Sequence, residues 1–291
     1  MKVLSTVAEM QAACRELRQS GKSLGFVPTM GALHQGHLSL VRAARAHNQA
    51  VAASIFVNPL QFGPSEDFSK YPRTFDRDRQ FLEAEKVDLL FAPSHEEMYP
   101  KGSSTAVYVA GLSEKLDGRS RPGHFQGVTT VVAKLFEIVR PHRAYFGQKD
   151  AAQVAVIRKM VDDLNVDIEI VVCPIVREQD GLALSSRNTY LSPEQRKQAL
   201  ALYRSLTRIQ TFADRGERAS SALIEAGKQV LADEPAVQLD YFEVVDPNTL
   251  DPVPDISRGA LVAIAAWVGT TRLIDNIVLQ GPGQARALND E

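Results

Sequence analysis

The chain contains, between a short apolar run and an amphipathic segment, the stretch Pro28-Thr29-Met30-Gly31-Ala32-Leu33-His34-Gln35-Gly36-His37. The apolar run, residues 24–27, ends at a proline, which predicts a buried strand that stops at a turn. From Leu38 to Ala44, apolar residues recur at helical spacing, which predicts a helix that begins near Gly36. The N-terminus of a helix attracts anions through its unpaired N–H groups and its dipole. The stretch therefore predicts a site for the phosphates of a nucleotide.

Two imidazoles lie in this turn. His34 and His37 are three residues apart at a helix start, so their side chains can point to the same side, and Gly36 lets a ligand approach the backbone. We expect both to donate hydrogen bonds to a phosphate whose charge grows in a transition state. One alternative is a pair of ordinary helix-capping residues. Zinc is a weaker alternative, because no cysteine or carboxylate cluster at ligand spacing accompanies the pair.

The composition is that of a globular protein. With 291 residues, 44% of them hydrophobic, the chain can form one large domain or two ordinary ones. A net charge of −2 without a basic tract argues against a nucleic-acid partner. Cys14 and Cys173 form no motif, which favours reduced thiols. Since neither a secretion signal nor a membrane-length apolar run is present, we expect a soluble cytoplasmic protein with no membrane partner.

Strand-like and helix-like segments alternate through the first part of the chain, which predicts an α/β fold with a doubly wound parallel sheet. Polar or glycine-bearing loops follow the predicted strand ends at Pro28, Asn58, Gly147 and Pro174. Ligands of such sheets bind outside the carboxyl ends of strands, so we expect these loops to converge on one crevice. The later strands are predicted at 50–57, 88–91, 144–146 and 167–172, and the helices at 75–86, 128–139 and 151–164.

The second part of the chain has a different pattern. Helices are predicted at 193–213 and 220–232, followed by antiparallel strands at 238–245, 260–267 and 272–279, which is an α+β arrangement. We place a domain boundary near Pro174 to Val176, which gives one domain of residues 1–175 and a smaller one of residues 176–291. A frayed tail is expected from Gly281.

Two further motifs suit phosphate binding. Gly147-Gln148-Lys149-Asp150 follows a predicted strand and opens a helix, so that Lys149 can bring a positive charge to a phosphate and Asp150 can cap the helix or bind a ribose hydroxyl. Its alternative is a capped helix with a surface lysine. Leu184-Ser185-Ser186-Arg187-Asn188 offers two hydroxyls and a guanidinium, all donors to phosphate oxygens. Its alternative is a helix cap and linker.

Three uncharged or flexible elements complete the candidates. The stretch Asn58 to Gly63 lacks charge and suits the wall of a small-molecule site, where Gln61 offers both a donor and an acceptor. Gln153 can face the same crevice, although each glutamine alone is more often a surface residue. Arg119 to Gly127 is a basic segment that could close over an anionic substrate, and a solvated loop is its default interpretation.

Several ordered motifs together resemble the pantoate–β-alanine ligase family, and the resemblance covers essentially the whole chain. The His-x-Gly-His element alone is similar to the signature of the wider nucleotidylyltransferase and class I synthetase superfamily. The motifs that carry the resemblance are Pro28 to His37, Phe56-Val-Asn-Pro-Leu-Gln-Phe-Gly63, Tyr71-Pro-Arg-Thr74, Gly147 to Asp150 and Ser185 to Asn188.

The resemblance implies a homodimer with a Rossmann-like N-terminal domain and a smaller C-terminal lid. It also implies Mg²⁺-dependent condensation of pantoate with β-alanine, in which ATP is converted to AMP and diphosphate through a pantoyl adenylate. Some relatives carry acidic pairs that help to place magnesium where this chain has Asp76-Arg77-Asp78, which leaves Asp78 as the candidate metal ligand.

The remaining roles are implied residue by residue. His37 is the catalytic acid, His34 is its partner on the phosphates, and Lys149 joins them in catalysis. Gln61 and Gln153 bind pantoate, with Gln61 also near β-alanine. The implied ATP-binding residues are Met30, Gly31, Ala32, Leu33, His34, Gln35, Gly36, His37, Gly147, Gln148, Lys149, Asp150, Val176, Leu184, Ser185, Ser186 and Arg187.

Other functions share parts of this pattern. A nucleotidylyltransferase of the same superfamily would leave the nucleotide on its product instead of releasing AMP. A nucleotide sensor would bind without turnover, but it would leave Gln61, Gln153 and Lys149 without a joint purpose. An aminoacyl-tRNA synthetase shares the superfamily signature, yet the chain has no evident basic surface or anticodon-binding extension.

Overall fold

The computed structural model describes residues 1–64 and 66–281, so the tail predicted from Gly281 lies, beyond that residue, outside the described part. The chain divides into two compact units. The first contains Met1–Gly147 and Val156–Cys173, and the second contains Gln148–Ala155 and the chain from Pro174 onward. Each unit has its own hydrophobic core.

The first unit is built on a parallel sheet whose strands run in the order β1-β4-β3-β2-β5-β6. The order changes direction between β2 and β5, and ligands of doubly wound sheets bind at such a switch point. The loop after β2 therefore lies at the switch point, and it is the loop for which the sequence predicts phosphate binding. The strands are β1 (Lys2–Leu4), β2 (Leu24–Thr29), β3 (Ala50–Ile55), β4 (Leu89–Phe91), β5 (Arg143–Gly147) and β6 (Glu169–Cys173).

Helices connect these strands, and the predicted ones are present with small differences at their ends. Helix α6 begins four residues before the predicted 128, because Gly123 adopts φ 83° and its left-handed turn starts the helix at His124. The helices are α1 (Val7–Gln19), α2 (Gln35–His47), α3 (Phe75–Ala84), α4 (His95–Met98), α5 (Asp117–Ser120), α6 (His124–Val139) and α7 (Ala151–Asp163). The division between the two units passes through α7.

Close packing places the N-terminus of α2 beyond the end of β2. Val41 and Ala44 of α2 are fully buried, together with Val27 of β2. A side chain on Gly25 would lie 2.6 Å from Nδ2 of Asn48 and 3.3 Å from Cβ of Ala44, so glycine allows this close approach of helix to strand. The helix then begins at Gln35, six residues after β2 ends at Thr29, and its N-terminal N–H groups face the loop between the two.

The second unit pairs two helices with an antiparallel sheet in the order β7-β8-β9. Leu206, Leu223 and Ile264 lie fully buried between the two layers. The elements are α8 (Pro193–Asp214), α9 (Ser220–Leu231), β7 (Val237–Val245), β8 (Ala260–Val268) and β9 (Thr271–Leu279). The predicted fold class, a doubly wound parallel sheet with a smaller α+β part, is confirmed. In the described ranges we find no helix long and apolar enough to span a membrane.

Candidate functional site

The loop after β2 is a tight turn that needs glycine. Gly31 has φ 81° and Ala32 has φ 51°, so two successive residues are in the left-handed region. A side chain on Gly31 would lie 3.1 Å from both Oδ2 of Asp78 and Cγ2 of Ile55. The hydroxyl of Thr29 accepts the N–H of Gly31 at 3.1 Å. The turn is thus closed on one side by β3 and on the other by α3.

Asp78 holds this turn from within the first unit. Its carboxylate is buried and accepts the N–H of Ala32 at 2.8 Å, the N–H of Leu33 at 2.9 Å, and the hydroxyl of Thr74 at 3.0 and 3.1 Å. Each carboxylate oxygen therefore carries both a backbone donor and the threonine hydroxyl. Such a carboxylate stabilises the left-handed turn electrostatically and through charge-assisted hydrogen bonds.

The interpretation of Asp78 as a magnesium ligand does not fit this geometry. Both oxygens point at protein donors, and its side chain is only 1% exposed. Among residues 1–64 and 66–281, no group of three or more His, Cys, Asp or Glu side chains could hold a metal ion. The resemblance implied a metal role because some relatives carry acidic pairs after the Tyr-Pro-Arg-Thr motif, but a sequence cannot show which way the carboxylate points.

The two imidazoles form a capping box at the start of α2. Nδ1 of His34 accepts the N–H of Gly36 at 3.2 Å, and Nδ1 of His37 accepts the N–H of His34 at 3.4 Å. A neutral imidazole that accepts at Nδ1 carries its hydrogen on Nε2. The ring centroids are 4.1 Å apart. Capping therefore orients the rings and places two Nε2–H donors beside a helix N-terminus, so that the capping role and the phosphate-binding role are compatible.

The loop after β3 brings Gln61 next to the first loop. Gln61 is buried, its Oε1 accepts Nδ2 of Asn58 at 3.1 Å, and its Nε2 lies 3.3 Å from the sulfur of Met30. Tyr99 donates its hydroxyl to Oδ1 of Asn58 at 2.9 Å. Burial raises the pKa of Tyr99 to about 12, so the phenol keeps its proton and remains a donor. No motif in the sequence marks Tyr99.

A cavity of about 550 Å³ opens beside these two loops within the first unit. Met30 and Gly31 line it from the first loop, and Pro59 from the second. Arg73 and Thr74, from the Tyr-Pro-Arg-Thr motif, also line it. This volume is in the range of small-molecule sites. The structure thus brings Met30 and Gly31 of the predicted ATP loop and Pro59 of the second loop to the same cavity wall, whereas Gln61 is not among the lining residues.

The loop after β5 belongs to the second unit from Gln148 onward and is held by a buried amide. Nδ2 of Asn276, on β9, donates to the carbonyls of Gln148 at 3.0 Å and Lys149 at 2.9 Å, and its Oδ1 accepts Nε2 of Gln148 at 2.9 Å. In a trans peptide the N–H points opposite to the carbonyl. The N–H groups of Lys149 and Asp150 therefore point away from Asn276.

No motif in the sequence identifies Asn276. The only available signal was an Asp-Asn pair in an otherwise apolar strand segment, and a buried polar pair in a strand requires partners. Asp275, the other member, binds Arg177 through both carboxylate oxygens at 2.6 and 2.9 Å. Two neighbouring residues of β9 thus hold the loop at 148–149 and the residue that follows Val176.

The serine-rich segment lies in the second unit beside Val176. The N–H of Leu184 donates to the carbonyl of Val176 at 3.0 Å. The hydroxyl oxygen of Ser185 accepts the N–H of Arg187 at 3.2 Å and caps a 3-10 helix at Ser186–Tyr190. The structure therefore brings the predicted ATP-binding residues 176 and 184–187 together. Ser185 has the alternative capping role as well, and its O–H remains a donor.

The other two predicted elements have different outcomes. Gln153 lies half-buried in the first turn of α7 in the second unit, and Lys149 lies four residues earlier in the 3-10 turn before this helix. The prediction of a flexible basic loop at 119–127 is wrong, because these residues form the end of α5 and the start of α6. Arg121 in this segment is held by Glu66 through two hydrogen bonds at 2.7 and 2.6 Å. This arginine is therefore committed to the protein itself.

The parallel sheet, its switch point and the imidazole pair at a helix start define a nucleotide-binding α/β enzyme of the nucleotidylyltransferase type. The family model for pantoate-beta-alanine ligase matches residues 2–278. The chain belongs to the pantoate–β-alanine ligase family, whose members are enzymes that ligate pantoate and β-alanine with ATP as co-substrate. The predicted family and ligase activity are confirmed.

Relatives and solved structures agree with this assignment. Pantothenate synthetase from Koribacter versatilis is 65% identical over 286 residues, which are 98% of each chain. The crystal structure of pantothenate synthetase from Thermus thermophilus is 52% identical with a TM-score of 0.91, over 95% of this chain and 99% of that one. Pantoate-beta-alanine ligase from Francisella tularensis, complexed with beta-gamma ATP and beta-alanine, is 34% identical with a TM-score of 0.78, over 96% and 97% of the two chains.

Proposed function

We propose that the chain makes pantothenate in two steps. The carboxylate of (R)-pantoate attacks the α-phosphorus of ATP in line and displaces diphosphate, which gives pantoyl adenylate. The neutral amine of β-alanine then attacks the acyl carbon, and AMP leaves. The observation that carries this proposal is the imidazole capping box of His34 and His37, which sets two Nε2–H donors beside a helix N-terminus at the switch point of the sheet.

In the first unit, residues Met30 to His37 are the proposed ATP loop. Nε2–H of His34 and of His37 donates to phosphate oxygens whose negative charge rises in the transition state, and such preorganised donors are a large source of rate enhancement. Gln61 binds pantoate, and its contacts with Asn58 and Met30 support this role because they fix the amide beside the ATP loop.

Gly147 to Asp150, Val176 and Leu184 to Arg187 are the further proposed ATP residues, and Gln153 is a proposed pantoate residue. Lys149 adds positive charge to the phosphates. The hydroxyls of Ser185 and Ser186 and the guanidinium of Arg187 are donors of the kind that phosphate oxygens require. We propose residues 1–175 as the Rossmann-like ATP- and pantoate-binding domain, and residues 176–291 as a lid domain that keeps water from the adenylate.

Three further properties complete the proposal. The enzyme is a homodimer, it works in the cytoplasm, and it acts on pantoate and β-alanine without a nucleic-acid or membrane partner. Mg²⁺ accompanies ATP, and we assign no residue to it because the carboxylate of Asp78 is occupied by the turn. The family resemblance supports the dimer, the compartment and the metal.

The decisive experiment is isotope exchange. Labelled diphosphate should enter ATP when pantoate is present and β-alanine is absent, since forming the adenylate is reversible before AMP leaves. Reactions without pantoate are the control. If a folded enzyme supplied with magnesium shows no pantoate-dependent exchange, the adenylate step is wrong. Free AMP that forms only with all three substrates would exclude the nucleotidylyltransferase alternative, in which the nucleotide stays on the product.

A further inference from the structure

The main-chain carbonyl of Gln61 is held by two side chains from the segment at 119–127. Nδ1 of His124 lies 2.8 Å from this oxygen, and Nη2 of Arg121 donates to it at 3.3 Å. These contacts join the α5–α6 region to the short helical turn Pro59–Gln61. The two residues belong to the basic segment whose function the sequence does not reveal.

The hydrogen-bond directions of this cluster are fully determined. The guanidinium of Arg121 only donates, so Nε2 of His124, 3.0 Å from Nη1 of Arg121, accepts. Its Nδ1 therefore carries the hydrogen and donates to the carbonyl of Gln61. On the other side of the guanidinium, Nε and Nη2 of Arg121 donate to the carboxylate of Glu66, which orients the arginine. In this cluster Arg121 donates to Glu66, to His124 and to the carbonyl of Gln61, and His124 donates to the same carbonyl.

Backbone packing leaves the main-chain carbonyl of Gln61 little freedom to move. A side chain on Gly127 would lie 2.3 Å from the carbonyl oxygen of Leu60 and 2.5 Å from the nitrogen of Gln61, so α6 contacts this turn directly. The carbonyl of Gly127 in turn accepts Nδ2 of Asn58 at 3.0 Å. The first turns of α6 thus form a rigid wall behind Gln61.

We infer that His124 and Arg121 are positioning residues, which hold the backbone of Gln61 so that its amide meets pantoate. The inference rests on the proposed role of Gln61. The imidazole suits this task because it is neutral. Burial, reinforced by the charge of Arg121, lowers the pKa of His124 from 6.5 to about 4, against the opposing effects of the Gln61 carbonyl, Asp117 and Glu66. It therefore keeps one tautomer at neutral pH.

The first test separates the two substrates. His124→Leu should raise the KM for pantoate about tenfold or more, because small displacements of a positioning group are costly, while the KM for ATP stays within about twofold of the native value. His124→Asn is the matched variant, since its amide nitrogen replaces Nδ1 as the donor and should recover most of the loss. Equal rises in both KM values, or no recovery with asparagine, would overturn the inference.

A double-mutant cycle tests whether His124 acts through Gln61. Gln61→Ala should raise the KM for pantoate. The double variant Gln61→Ala/His124→Leu should have a pantoate KM only slightly higher than that of Gln61→Ala, because the effects of substitutions at residues that act as a unit are not additive. If Gln61→Ala leaves the pantoate KM unchanged, the proposed role of Gln61 fails, and the inference with it. If Gln61→Ala raises the KM but His124→Leu does not, the inference alone fails.

Glu66→Gln provides a second route if His124→Leu does not fold. It removes the charge that orients Arg121 without touching His124 or Gln61, so the pantoate KM should rise about threefold to tenfold with little change for ATP. Arg140→Lys is the control, since its ion pair with Glu137 lies on the surface and its kinetics should be native. An unchanged pantoate KM in a folded Glu66→Gln enzyme would overturn the proposed chain of contacts.

Discussion

The two strand-to-helix loops of the chain are held with opposite polarity. At residues 30–37 the carboxylate of Asp78 accepts backbone N–H groups, whereas at residues 147–150 the amide of Asn276 donates to backbone carbonyls. In the first loop these N–H groups face the protein, which leaves the imidazoles and the helix start as the donors for the proposed phosphate binding. In the second, N–H groups point away from the support, and successive backbone N–H groups bind anions. The two loops have similar sequence patterns but present different hydrogen-bond donors: imidazoles and a helix start in the first, and backbone N–H groups in the second.

The largest effect is expected at the first loop, where we propose that side chains bind the phosphates. His37→Ala removes one Nε2–H donor and should lower kcat by about 10²-fold or more, as loss of a preorganised donor does in other enzymes. Steady-state kinetics with all three substrates measure it. His37→Gln is the control, because its amide nitrogen can replace Nε2, and it should keep more activity. Near-native turnover of His37→Ala would leave this residue a helix cap only, and the comparison would fail.

Asp78→Asn tests the support of the same loop. An amide offers one acceptor oxygen and places an NH₂ against a backbone N–H, so unfolding free energy should fall by about 2 kcal/mol. Denaturant titration measures it. Asp76→Asn, exposed on the same helix, is the matched control and should be neutral. The Mg²⁺ concentration for half-maximal activity should not change in Asp78→Asn. A large shift there would restore Asp78 as a metal ligand.

Asn276→Leu tests the support of the second loop. It leaves the carbonyls of Gln148 and Lys149 without their donor, so the loop shifts and the KM for ATP should rise about tenfold, equivalent to about 1.4 kcal/mol. The KM for pantoate should move less. Asn248→Ala, in an exposed turn, is the control. If both KM values rise equally with a fall in stability, Asn276 serves the fold alone.

Local patterns predicted most of the fold. Helical periodicity located the start of α2 within one residue and both ends of α3 and α8 within two, and the strands flanking the two loops were found from short apolar runs. These signals suffice because each element buries a continuous apolar face. The short elements β1, α4 and α5 were missed, since three or four residues carry no measurable period.

The supports of the site could not be predicted from the sequence. Asp78 lies 46 residues from Ala32, and Asn276 lies 127 residues from Lys149. Such pairs depend on the packing of whole elements, and no local spacing reveals them. The ligand-facing motifs are contiguous and therefore visible in the sequence, whereas the side chains that hold them come from elsewhere. This explains why the supporting roles of Asp78 and Asn276 were missed.

The smallest expected effect is on the pH dependence of stability. Acid should weaken the support of Gln61 by His124, which titrates, and not the support of the second loop by Asn276, which does not. His124, which holds the carbonyl of Gln61, has its pKa lowered from 6.5 to about 4 by burial and by Arg121. The folded state therefore binds fewer protons than the unfolded state between these values. The resulting stability is present above pH 6.5 and is lost as the pH falls towards 4. The amide of Asn276 does not titrate.

The expected loss between pH 7.5 and 5.5 is about 1 kcal/mol of unfolding free energy, after discounting for the partial exposure of the imidazole. Urea titrations of the native chain and of His124→Asn at both pH values measure it, because asparagine keeps a donor but lacks the proton site. The variant should lose less stability than the native chain over this interval. Equal losses in the two proteins would show that other groups carry the acid dependence. The support of the Gln61 backbone by His124 would then be as independent of pH between 7.5 and 5.5 as the support of the second loop by Asn276.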